Sequence, residues 1–261
     1  MPGLVTVLYR QRSLLLATSR EALLARFRGS ILGVAWLLIY PLAFLAMYAT
    51  VFIVILGVRI PELGTYQYVQ LIFCGLVPFL AFAESFGVGT VSIVANRGLL
   101  KNTLFPIELV VARDVLVGHA TMGLGMVLVW VTVAVNGHLY WTHLAVPLVY
   151  LLQILMTLGI VWITASLTVF FRDFQQATPI IILFLMLVSP IAYTNAMVPE
   201  NLRPLLDFNP LAWIMKIYRE CLMDGTLPVA EIAILAAFSF AVLKLGHVLI
   251  SRLKPLFHDY L

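Results

Sequence analysis

Long apolar runs alternate with short polar stretches along this chain. Six runs, at about 31–57, 69–95, 115–137, 141–170, 177–195 and 229–251, stand out. A membrane-spanning helix needs about 20 mostly apolar residues, and each run meets or approaches that length. Strands of a membrane barrel are shorter and alternate apolar with polar positions, so the pattern excludes one. It predicts an all-α integral membrane domain over residues 1–261 with six transmembrane helices. The fourth run is long enough to tilt or to project past the bilayer.

Composition agrees with the pattern. Hydrophobic residues make up 62% of the chain and charged residues 11%, against about 25% charged in an ordinary soluble domain. The mean hydropathy is +1.04. Basic residues then orient the spans. Eleven of the sixteen lysines and arginines fall on the side that holds both termini, and four fall on the other. The positive-inside rule puts both termini in the cytoplasm, as an even number of spans requires. The N-terminal apolar patch Leu14–Ala17 is too short for a cleavable signal.

Three connections are unusual. Thr18-Ser19-Arg20-Glu21 reads as a capping box, with Glu21 returning to the Thr18 amide. The mixed apolar and basic stretch after it predicts an interfacial helix over about 18–29. The segment Asn96–Asp114 is too long for a tight turn and too apolar for a solvated loop. Leu99, Leu100, Leu104, Phe105 and Ile107 predict either a short partner-seeking helix or a re-entry into the headgroup layer, bent back at Pro106. The segment 196–228 carries four prolines among apolar stretches too short to span. It predicts re-entrant outer helices before the last span, or an amphipathic hairpin resting on the surface.

Chemistry-bearing residues are few. Glu84 sits inside the second run, and an intramembrane carboxylate is either functional or bonded to a neighbouring helix. Lys244 lies in the sixth run, where it can snorkel. Cys74 and Cys221 set up no disulfide framework, and the five histidines are scattered. A G-x-x-x-x-G-K-[ST] phosphate loop, a His-Glu-x-x-His motif and a nucleophile–base pattern are all absent from the sequence. The chain is therefore expected not to be an enzyme and to hold no metal or cofactor itself. Rings recur at Trp36, Tyr40, Phe44, Tyr48 and Phe52. At this spacing each sits about 40° beyond the last, so Tyr40, Phe44 and Tyr48 can share a face. They either pack against other spans or line a path.

These residues resemble a known family. "ARFRGSILGVAWLLIYPL" entering the first run, "FFRD" at 170–173, "SPIAY" at 189–193, "FNP" at 208–210 and the closing "FHDYL" are similar to landmarks of ABC-2 type exporter permeases of the polysaccharide branch, in family order. The resemblance implies a homodimer in the cytoplasmic (inner) membrane with two separate ABC ATPase subunits, where ATP and Mg would bind. It implies outward movement of a lipid-linked polysaccharide of O-antigen, teichoic acid or capsule type. Under it, Trp36, Tyr40, Phe44, Tyr48 and Tyr193 are candidate conduit residues. Leu99, Lys101, Leu104 and Phe105 become an ATPase-coupling helix, and Glu21, Arg26 and Arg28 an interfacial gate. Two other classes stay open: an ABC-2 exporter of a small hydrophobic compound, and a membrane enzyme acting on lipid-linked sugars.

Overall fold

A computed structural model describes residues 10–58, 60, 63–102, 105–135 and 139–260, with the side chains of Asn102, His258 and Asp259 excepted. Among the described residues the regular structure is helical. Helix α1 is Arg12–Arg26. Helix α2 runs Gly33–Ile55, with a 3-10 turn at its start and a π-helical end. Next come α3, Thr65–Ala95, and the short α4, Arg97–Asn102. They are followed by α5, Ile107–Val135, α6, Trp141–Phe170, and α7, Asp173–Val188. Short α8, Arg203–Asp207, and α9, Pro210–Arg219, precede α10, Val229–Tyr260.

Five of these, α2, α3, α5, α6 and α10, are long and apolar enough to cross a membrane. The fifth run departs from expectation. Its helix α7 starts at Asp173, ends at Val188 and has only 16 residues. Ser189 turns to an extended backbone and Pro190 follows it, so the helix cannot continue to residue 195. Helix α5 begins eight residues before its expected start, because Glu108 and Asp114 find partners that let them enter the bundle. The capping box is also overturned. Thr18 lies inside α1, where its hydroxyl donates to the Leu14 carbonyl at 2.8 Å and the Leu15 carbonyl at 3.1 Å. The apolar turn Leu14–Ala17 extends the helix back to Arg12, and Leu15 is buried.

The core is α3, with α5 and α6 packed along it and α10 packed on α6. Small residues allow these close approaches. A Cβ on Gly159 of α6 would sit 2.5 Å from the Leu243 amide nitrogen of α10. One on Gly246 would sit 2.4 Å from the Gly159 carbonyl oxygen. Gly118 of α5 likewise meets the Ser85 backbone at 2.9 Å. Such small-residue contacts are how membrane helices gain packing without a hydrophobic drive between them. Helix α2 lies at the edge of this bundle, and Pro41 is its one buried residue before the π-helical end.

Candidate functional site

The ring ladder on α2 opens onto two separate cavities. Trp36 and Tyr40, each 42% exposed, line one of about 260 Å³ together with Arg26, Glu84 and Thr121. Tyr48 and Phe52 line another of about 230 Å³, opposite Met186, Ile191 and Tyr193. Tyr48 and Phe52 stack with centroids 5.8 Å apart and 9° between planes. Phe44 lines neither of these two cavities; it packs on Tyr40 at 4.9 Å and against the core. The 40° drift per ring explains the split. Over four steps it carries the ladder roughly 160° around the helix, so the two ends face different neighbours.

Glu84 belongs to the first cavity. It projects from α3, makes an ion pair with Arg26 of α1, and accepts a 2.7 Å hydrogen bond from the Thr121 hydroxyl of α5. The expected gate residue and the expected intramembrane acid are therefore one contact. Arg28, in the turn after α1, pairs instead with Glu21 of that helix at 3.1 Å, on the exposed surface. An exposed pair of that kind contributes little to stability.

Around α4 the expected residues divide. Lys101 is exposed and Leu99 half-buried. Leu100 and Phe105 pack against the protein's own core. Leu104 lies outside the described residues, as do Glu62 and His138.

Sequence reasoning missed the polar brace that flanks this segment. Asp114 of α5 accepts from Ser92 of α3 at 2.6 Å and from Arg113 Nε at 2.8 Å. Arg113 also donates to Asn96 at 3.2 Å, and Asn96 donates to the Ser92 carbonyl at 2.8 Å. Glu108, at the start of α5, takes Lys254 of α10 on both oxygens, at 3.0 and 3.1 Å, and its carbonyl accepts from the Trp162 indole. Both flanks of α4 are thus tied into the bundle. The adjacent Arg113-Asp114 pair within an apolar run was the available signal.

Arg219, at the end of α9, was also missed. Its guanidinium donates to the carbonyls of Pro190 at 2.6 Å, Ile191 at 2.8 Å, Tyr193 at 3.3 Å and Leu71 at 3.3 Å. The oxygens of residues 190, 191 and 193 are available because the chain leaves helical geometry after Val188, while Leu71 offers its carbonyl from within α3. Gly75 gives the guanidinium room, since a Cβ there would meet it at 3.0 Å. Burial pulls the Arg219 pKa down to about 10, so the group stays protonated at neutral pH. It anchors one wall of a cavity of about 590 Å³ between the 190–197 segment and α9. Lys216 ties α9 to α10 through Glu231 at 2.8 Å. Helix α9 is thus fastened to the bundle by polar contacts and a buried face of Leu211, Ile214, Met215 and Tyr218.

Among the described residues, no group of three or more His, Cys, Asp or Glu side chains is placed to hold a metal ion. The sequence profile of the ABC-2 type transporter family matches residues 13–223. An "O-antigen export system permease protein RfbA" of Klebsiella pneumoniae is 28% identical over 251 residues, 95% of each chain. A protein of the same description in Myxococcus xanthus is 30% identical over 247 residues, 93% of each. "Polysialic acid transport protein KpsM" of Escherichia coli is 26% identical over 228 residues, 85% of this chain and 86% of the other.

Proposed function

The chain belongs to the ABC-2 type transporter family, and from that premise we propose that it is the permease subunit of an exporter for a lipid-linked polysaccharide. A near-full-length likeness to permeases named for O-antigen export carries this reading. The exposed ring-bearing face of α2 supports it. A pyranose presents an apolar face of C–H groups that stacks on an aromatic ring, while tyrosine hydroxyls bond passing sugar hydroxyls. Stacking tolerates sliding, which suits a moving polymer.

In this reading two copies face each other in the inner membrane with their termini in the cytoplasm. Two ABC ATPase subunits dock beneath them and hold the ATP and Mg. ATPase closure pushes on Lys101 and the rest of α4. The Ser92–Asp114–Arg113–Asn96 brace and the Glu108–Lys254 pair carry that push into α3, α5 and α10. The path opens between the two copies, along α2.

The experiment is deletion of the gene followed by fractionation of the cell's glycans. Lipid-linked polymer should accumulate in the cytoplasm and return to the surface on complementation, and an ABC ATPase should copurify with the chain. Unchanged surface glycan in the deletion strain would reject the reading. Accumulation of a small hydrophobic compound in place of a glycan would favour the other exporter class.

A further inference from the structure

We propose that the cavity bounded by Arg26, Trp36, Tyr40, Glu84 and Thr121 docks one saccharide unit, and that docking releases the Arg26–Glu84 ion pair and frees α1 from the bundle. The proposal rests on the polysaccharide reading above and adds to it a site, a ligand class and a switch.

The case starts from Glu84. Its side chain is only 12% exposed and sits inside a spanning helix. A carboxylate there is costly unless paired. Among the described residues its cationic partner is Arg26 of α1, which is not a span. Withdrawal of α1 by itself would strip Glu84 of this counter-charge and force the acid to stay charged at a cost or take up a proton. Arg26 is 45% exposed, so it can be reached by a ligand.

The carboxylate is also not saturated. One oxygen accepts from Thr121, and the other is engaged by the Arg26 guanidinium. A carboxylate has about four acceptor positions, so it can take further O–H donors.

The ligand that fits must satisfy both charges at once. A phosphate serves Arg26 but is repelled by Glu84, and an ammonium group does the reverse. A sugar carries O–H donors for the carboxylate and oxygen acceptors for the guanidinium on neighbouring carbons. It also has a C–H face for the exposed rings of Trp36 and Tyr40. Once docked, the sugar's O–H groups would take the guanidinium's place on Glu84, and α1 could then carry Arg26 away without leaving a bare carboxylate.

The test uses the purified full-length chain in lipid nanodiscs. The probes are methyl glycosides of glucose, galactose, mannose and N-acetylglucosamine, followed by saturation-transfer NMR. Transfer to at least one glycoside is expected. It should fall about tenfold in Glu84→Gln and in Trp36→Leu, as expected for a lost charged hydrogen bond or a lost stacking surface. It should persist in Phe240→Leu, an exposed ring on α10 outside this cavity. Trp36 is exposed, so its variant separates ligand loss from misfolding. Spin labels on Leu16 of α1 and Leu124 of α5, both exposed, should move apart when the bound glycoside is present. Absence of transfer to every probe, equal transfer in the Glu84 and Trp36 variants, or an unchanged label distance would overturn the proposal. If the gene deletion still traps glycan while these tests fail, the site falls and the polysaccharide role stands.

Discussion

Helix α2 has a mean hydropathy of 2.3 over its most apolar stretch, and 6% of that stretch is buried; α3 has 1.9, and 78% of its stretch is buried. The more apolar helix is the more exposed one. In water this would be a contradiction. In a bilayer the lipid tails are as apolar as leucine, so hydropathy measures membrane residence and says little about the interior. Steric fit and polar groups decide what is interior. Helix α3 carries Gly75 and Gly89 where Arg219 and Val161 approach, and it carries Ser85 and Ser92, which bond to α5. Helix α2 offers large side chains and rings with few such devices, and most of its surface is left for lipid, a second copy or a substrate.

Several substitutions break or sharpen this contrast. The largest effect belongs to the α6–α10 contact. Gly159→Val places atoms against the Val242–Leu243 backbone, which cannot rotate away as a side chain can. Overpacking costs about 1–3 kcal/mol where side chains can adjust, and more where only backbone can yield. The expected outcome is loss of a monodisperse species in detergent, read by size-exclusion chromatography. An equally stable Gly159→Val protein would show that these helices are not so closely fitted.

Arg219→Met comes next. It strands the carbonyls of residues 190, 191 and 193 and removes a charged donor. A loss of about 3 kcal/mol is expected, seen as a lower melting temperature. The Trp36–Tyr40 cavity should be unaffected, whereas the Tyr48–Phe52 cavity should loosen, because Ile191 and Tyr193 form part of its wall and lose their tie to Arg219.

Asp114→Asn weakens the brace at α4 by about 1–3 kcal/mol. The bundle should remain folded, since other core contacts persist. ATP hydrolysis by the copurified complex should become uncoupled from glycan export. Equal losses of both would point to simple unfolding.

The legible part of the fold was the part written in long runs. Five of the six expected spans, the short helices within 196–228 and the family landmarks depend on length, apolarity and proline position, which sequence displays directly. A helix before the first span is legible, but it starts six residues earlier than expected, because the Thr18 hydroxyl bonds backward within the helix instead of capping it. The candidate site was less visible. Arg26 and Glu84 lie on different elements far apart in the chain, and neither carries a local pattern that names the other. Arg219 and the Asp114 brace were hidden for the same reason. The ring ladder was plain in the sequence, but its division between two cavities depends on which neighbours the turning helix meets.

The smallest stability effect belongs to α2 itself. Tyr40→Leu and Tyr48→Leu keep their sites apolar and should cost less than about 1.5 kcal/mol each. Surface glycan should nevertheless fall, and more in the double variant. Normal export by a well-expressed double variant would assign these rings to packing or lipid contact.

Photo-crosslinking at the α2 face is the most direct measurement. A benzoyl-phenylalanine placed at position 40 or 48, in cells that are exporting polymer, reports what lies against each ring. The prediction is a glycan-bearing adduct of the chain at both positions, absent when the same probe replaces Phe240 on α10. Adducts with lipid alone at 40 and 48 would contradict a polysaccharide path along α2.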